Sequence, residues 1–190
     1  MTICRAISIA LALLLAGGCG MFKAQEKEYF SLSTVPSAAA RAGVTGAPVG
    51  IGAVELPPAV DRREIAVRDE ESRLELRGRE LWAGPLESMI VHTLAFDLAQ
   101  RLPEGMVVLP GQAKPAGAMR SVYVVIETME AGPQNALVLD ARWSVGATTP
   151  ATARHERIEV PLASLDSGAI ATGTSTALGM LADRIVAGLE

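Results

Sequence analysis

The 190-residue chain is 49% hydrophobic but only 4% aromatic, and its 21 acidic against 17 basic side chains give a formal net charge of −4. Without a basic surplus to neutralise phosphates, the composition argues against nucleic acid as a partner, and its abundance of apolar residues argues against a disordered chain. Both cysteines, Cys4 and Cys19, precede the main body of the sequence, so that body has neither a disulfide framework nor a thiolate metal site.

Taken in chain order, the first element is a leader. Arg5 precedes the apolar run Ala6–Ala16. That run is too short to cross a bilayer as a helix, which needs about 20 residues, but it has the length of a signal-peptide core. Small residues follow, Ala16-Gly17-Gly18, and then Cys19. The stretch resembles a bacterial lipobox. The resemblance implies cleavage after Gly18, acylation of Cys19 and an anchor in which each buried methylene contributes roughly 0.8 kcal/mol. In bacterial lipoproteins an Asp after the acylated cysteine signals retention in the inner membrane, so Gly20 implies the outer membrane. The expected organisation is a leader over 1–18, a lipidated tether over 19–28 and a folded domain over 29–190.

Tyr29–Leu32 reads as a short strand. Residues 34–48, small and interrupted by proline and glycine, read as a loose loop lying largely outside the core. Val49–Leu56 is a strand that Pro57-Pro58 must end, because proline has no N–H to give to a ladder. Ile65–Arg68 and Leu74–Arg77 flank the acidic turn Asp69-Glu70-Glu71. Pro85 suits the first turn of a helix. The stripe Val91, Leu94, Ala95, Leu98 and Leu102 faces a core, with Asp97 and Arg101 paired on the wet side. Met106–Leu109 is a short strand. Val122–Ile126 is a continuous apolar run expected of a central strand covered on both faces. Residues 137–145 alternate, with Leu137, Leu139, Ala141, Trp143 and Val145 on one face. Residues 146–152 form a hairpin connection, Arg154–Val160 is a charged edge strand, and a second helix spans about 169–188. The order predicts an α/β fold: one domain, with a mixed sheet and two main helices packed on it.

Mechanism-bearing motifs are missing. His92 and His155 stand in different elements without neighbouring ligands. No nucleophile elbow and no phosphate-cradling glycine loop occurs. The clusters Asp61-Arg62-Arg63-Glu64 and Arg68-Asp69-Glu70-Glu71 mix both signs and read as surface ion pairs. No catalytic residue, metal or cofactor is expected.

One ordered set of segments goes beyond generic pattern. Ile51–Arg68, with Val54-Glu55-Leu56-Pro57-Pro58 and Asp61-Arg62-Arg63-Glu64-Ile65, is similar to a signature of the PqiC (YmbA) type ABC-type transport auxiliary lipoproteins. Leu81-Trp82-Ala83-Gly84-Pro85-Leu86, Leu139–Trp143 and Tyr29–Leu32 resemble further segments of that family in the same order. The resemblance implies a mixed-sheet α/β domain like the N-terminal domain of TolB. It also implies a non-enzymatic role beside a periplasm-spanning protein of the mammalian-cell-entry (MCE) class and a membrane transporter, moving lipid between the two membranes and maintaining envelope integrity. A homo-oligomer is a further expectation.

The expected docking residues are Leu56, Pro57, Pro58, Asp61, Arg62, Trp82 and Pro85, because two prolines beside an Asp-Arg pair make a stiff loop and Trp and Arg are favoured anchors. Trp82 sealing the sheet edge, with Asp61 and Arg62 as a local turn pair, is the competing expectation. The rival function is a lipoprotein that holds lipid itself or assists lipopolysaccharide-like assembly without an MCE partner, which would need a deep apolar cavity.

Overall fold

A computed structural model describes residues 26–37, 44–146 and 153–189. Its elements run β1 (Glu28–Phe30), β2 (Val49–Glu55), β3 (Glu64–Arg68), β4 (Leu74–Trp82), α1 (Leu86–Arg101), β5 (Val107–Val108), β6 (Arg120–Gly132), β7 (Ala136–Val145), β8 (Arg154–Pro161) and α2 (Ser167–Ala187). The leader, Cys19, Gly20 and most of the 146–152 connection lie outside the described residues.

The described strands form one mixed sheet built along β6. On one edge β6 pairs antiparallel with β7, and β7 with β8. On the other edge two strands share it. β2 runs parallel to its first half, from Val49 opposite Arg120 to Glu55 opposite Val125. β3 meets its far end, with Val67 opposite Ala131. β5 extends the first branch and β4 and β1 the second. The sheet therefore forks, and residues 56–63 fill the fork. A bulge at Glu127, between Ile126 and Thr128, adds local twist to β6 beside it. The β6–β7 hairpin closes on Asn135, which has φ 52° and so occupies the left-handed region that asparagine tolerates.

Both helices pack on one face of the sheet. Val122, Val124 and Ile126 of β6 and Leu137, Leu139 and Ala141 of β7 form a core with Ile90, Leu94 and Leu98 of α1 and Leu178, Leu181 and Ile185 of α2. Asp166 caps α2 by accepting the Ala169 N–H at 2.8 Å, a contact worth about 1 kcal/mol. Pro85 occupies the N-cap of α1, one residue before its first turn.

Four expectations change. First, 122–126 is covered on one face only, with Val125 39% exposed, and the strand continues to Gly132 because its pairing with β7 runs on to Ala136. Second, β4 extends to Trp82, held by β1 and by the start of β3.

Third, residues 34–48 are not simply a loose loop. Val44 is buried in the core, and Val35 is fastened to the helices. Fourth, Asp97 and Arg101 are not on the wet side. They are 0% and 3% exposed, because the buried line of α1 runs through Ile90, Leu94, Asp97 and Arg101, while Val91 sits at its flank.

Replacing fully buried Leu178 with alanine should cost roughly 2–5 kcal/mol, the range for a leucine cavity, whereas Leu76→Ala on the open face should change stability by about 0.5 kcal/mol or less. Denaturant midpoints of the two variants check this.

Candidate functional site

The fork loop owes its shape to its prolines. β2 pairing ends at Glu55, and Pro57 and Pro58 offer no donors to continue it. Instead the Pro57 carbonyl accepts the N–H groups of Val60 (2.8 Å) and Asp61 (3.0 Å), and the Val60 carbonyl accepts Arg62 N–H at 2.8 Å. Val60 turns inward and is buried. The Arg62 guanidinium folds back over the turn, donating from Nε to the Ala59 carbonyl (2.8 Å) and from Nη2 to the Pro58 carbonyl (3.4 Å). The result is a fixed ridge with Pro58, Ala59 and Asp61 exposed and a cation laid along it.

Trp82 supports this ridge from beneath. Its backbone N–H donates to the Arg63 carbonyl at 2.8 Å, and the residue is 4% exposed. It shares with Arg62, Val60 and Leu86 a crevice of only about 30 Å³. The structure thus brings Arg62 and Trp82 together. Trp82 is buried in the core, on a strand flanked by β1 and β3. Leu56 packs half-buried against the core, Pro57 is half-buried, and Pro85 is exposed at the N-terminus of α1. Arg62 bonds its own loop carbonyls, and Arg68 reaches across to Glu130 on β6 through two hydrogen bonds. Within the acidic turn, Asp69 accepts from Arg73 at 2.9 Å.

The face of the sheet opposite the helices adds a second feature. Ala53, Tyr123 and Val125 floor a cleft of about 240 Å³. The Tyr123 ring lies over Gly52, where a Cβ would come within 2.9 Å of it. A row of ions borders the cleft: Arg142 with Glu127, Arg157 with Asp140, and His155 at 3.8 Å and 3.7 Å from the Glu127 and Asp140 carboxylates. Glu130, by hydrogen bond and charge, raises the Arg68 guanidinium further above its ordinary range.

The sequence reads the β7 and β8 part of this face as open, and misses only the β6 part. The signal for the open part is the alternation of Val138, Asp140, Arg142 and Ser144 against the inward row, but the continuous run in β6 suggests a covered strand. No group of His, Cys, Asp and Glu side chains placed to hold a metal occurs among the described residues, and His92 stands exposed on α1. The described surface thus offers a stiff ridge bearing a cation and an open, ion-bordered sheet face.

A family model for the ABC-type transport auxiliary lipoprotein component matches residues 30–186. The fold is similar to a solved structure titled only as an uncharacterized protein, with a TM-score of 0.71 and 15% identity, covering 87% of this chain and all of the other. It is also similar to a Xanthomonas campestris protein of the family DUF330, with a TM-score of 0.60 and 14% identity over 83% of this chain and 91% of that one. Comparison with curated proteins finds no match.

The different burial of the two partners has a measurable consequence. Trp82→Ala should cost about 3–5 kcal/mol, as truncation of a buried aromatic does, while Arg62→Gln should stay within about 1 kcal/mol of the parent. Thermal melts of both variants test the assignment.

Proposed function

The chain belongs to the ABC-type transport auxiliary lipoprotein family, and from that premise we propose that it is a non-enzymatic outer-membrane subunit of a lipid transport system. In this reading Cys19 is acylated, Gly20 directs the protein to the outer membrane, and the domain docks an MCE-class periplasm-spanning partner. The family match over 30–186 carries the reading, since it spans both helices and the forked sheet. The proline ridge supports it, because Arg62 is held in place before a partner arrives and little side-chain freedom remains to be lost.

The larger hollows among the described residues, of about 240, 310 and 630 Å³, are clefts open at the surface, and a subunit that docks and does not carry lipid fits the small crevice in the core. The crevice that reaches Trp82 and Leu86 holds about 30 Å³, room for roughly one water and far too little for an acyl chain. A stable partner contact would bury about 1,200–2,000 Å² in total, more than the ridge alone offers. The docking surface therefore extends from Pro58, Asp61 and Arg62 to neighbouring exposed residues. A homo-oligomer would use a separate part of the surface.

Two measurements test this. Cys19→Ser should move the protein out of the outer-membrane fraction, and wild-type protein found free in the periplasm would refute the anchor. Arg62→Glu should weaken capture of the MCE-class partner by about tenfold or more, the effect of losing an arginine anchor. Normal capture by that variant would remove Arg62 from the interface. Turnover of a substrate by the purified protein, with no envelope partner captured, would overturn the functional reading itself.

A further inference from the structure

Residues 33–37 belong to neither sheet nor helix, yet they are fixed across the outside of the helix pair. Ser33 N–H donates to Ser175 Oγ of α2 at 3.1 Å. Val35 N–H donates to Asp97 Oδ1 of α1 at 2.8 Å, and the Val35 carbonyl accepts from Arg101 Nη1 at 3.3 Å. Arg101 also donates to the Asp97 carbonyl at 2.9 Å and, through Nε, to Asp183 Oδ1 of α2 at 2.8 Å. The Val35 side chain rests on bare backbone: a Cβ at Gly179 would lie 2.7 Å from the Val35 Cβ. Val35 is the one aliphatic residue of the segment, so polar contacts dominate the hold. Segments held this way open at a fraction of the global unfolding free energy.

The central contact involves an ionisable group in an unfavourable place. Asp97 is 0% exposed, and its Oδ2 has no hydrogen-bond partner. The charged groups facing it are Arg101 of α1, 3.7 Å away, and Asp183 of α2, while the segment contributes main-chain groups. We propose that residues 33–37 form a releasable strap, latched across α1 and α2 by Asp97 and Arg101, and that the latch tightens when Asp97 is protonated and loosens when it ionises.

Burial raises the Asp97 carboxyl to about 6, with Asp183 adding to the rise and the Val35 N–H and Arg101 opposing it. The latch requires that the water readmitted when the strap lifts outweighs the loss of the Val35 N–H, so that Asp97 returns toward its ordinary value of 3.8. The latched form therefore binds the proton more tightly. Latching is strongest below the ordinary value and weakens as pH rises through about 6.

Amide hydrogen exchange on the intact chain, corrected for intrinsic rates, reads this directly. Protection of 33–37 should fall about tenfold between pH 5 and pH 7.5, the ratio that linkage gives for these two values, while β6 and β7 keep theirs. In Asp97→Asn the amide oxygen still accepts the Val35 N–H but cannot ionise, so strap protection should be independent of pH. Asp183→Asn, at a half-exposed site, removes a carboxylate that raises Asp97 and frees Arg101 to face it, so the loosening should move to lower pH. Wild-type strap protection equal at the two pH values, or lost in step with β6, overturns the proposal. So does a pH response that persists in Asp97→Asn. Should that variant fail to fold, an unmoved transition in Asp183→Asn overturns it equally.

Discussion

The structure depends on how one strand distributes its hydrogen bonds. β6 has thirteen residues, and along one edge it serves two partners: β2 as far as Val125 and β3 at Ala131. A single strand could have paired that whole edge, but Pro57 and Pro58 forbid it, since each removes a ladder donor. The chain must leave the sheet, turn and return. What leaves is the Pro57–Arg63 ridge, and what returns is β3, which then builds the β4 and β1 branch. The ridge is thus a direct product of a backbone constraint, with Arg62 donating to the free carbonyls of Pro58 and Ala59.

One-sided packing follows. With two long helices among the described residues for a sheet of this width, one face is filled and the other stays open. The open face avoids becoming a sticky apolar surface by carrying ions at the positions where the covered face carries leucine and valine. Arg142 stands beside Val125 in register, and Asp140 beside Arg157. Such pairs are individually weak in water, so their main effect is on solubility and on the choice of partner.

Much of this was legible in the sequence, and the failures are specific. The alternation in β7, the proline stop after β2 and the spacing in α2 each follow from a single period or a single missing donor, so local residues sufficed. The family is legible in the ordered segments from Tyr29 to Trp143. The α1 error was one of phase. Starting the stripe at Val91 put Asp97 and Arg101 on the far side, whereas starting it at Ile90 puts Asp97 at i+7 and Arg101 at i+11, on the buried line. Hydrophobicity prefers the first choice because it cannot anticipate that a third layer, the strap, will cover two charges. The strap itself carries no periodic signal, since its contacts are long-range and mostly main-chain. Burial of Trp82 depends on β1 and β3 arriving on either side of β4, which no local pattern records.

These elements place the two ends of the proposed role side by side. Phe30 at the end of β1 stands opposite Trp82, and the Phe30 carbonyl accepts the Ala83 N–H at 2.8 Å. Trp82 in turn binds the Arg63 carbonyl. One strand spacing on each side of β4, about 4.8 Å, therefore separates the strand that follows the tether from the base of the proline ridge. Cys19 lies nine residues before Glu28, and nine extended residues reach at most about 30 Å. With acylation at Cys19, the ridge would stand within a few nanometres of the membrane surface, and it is joined to β1 through main-chain bonds and one buried indole. A ridge braced in this way cannot move independently of the strand that follows the tether, so whatever sets the height of β1 above a membrane would set that of the ridge as well.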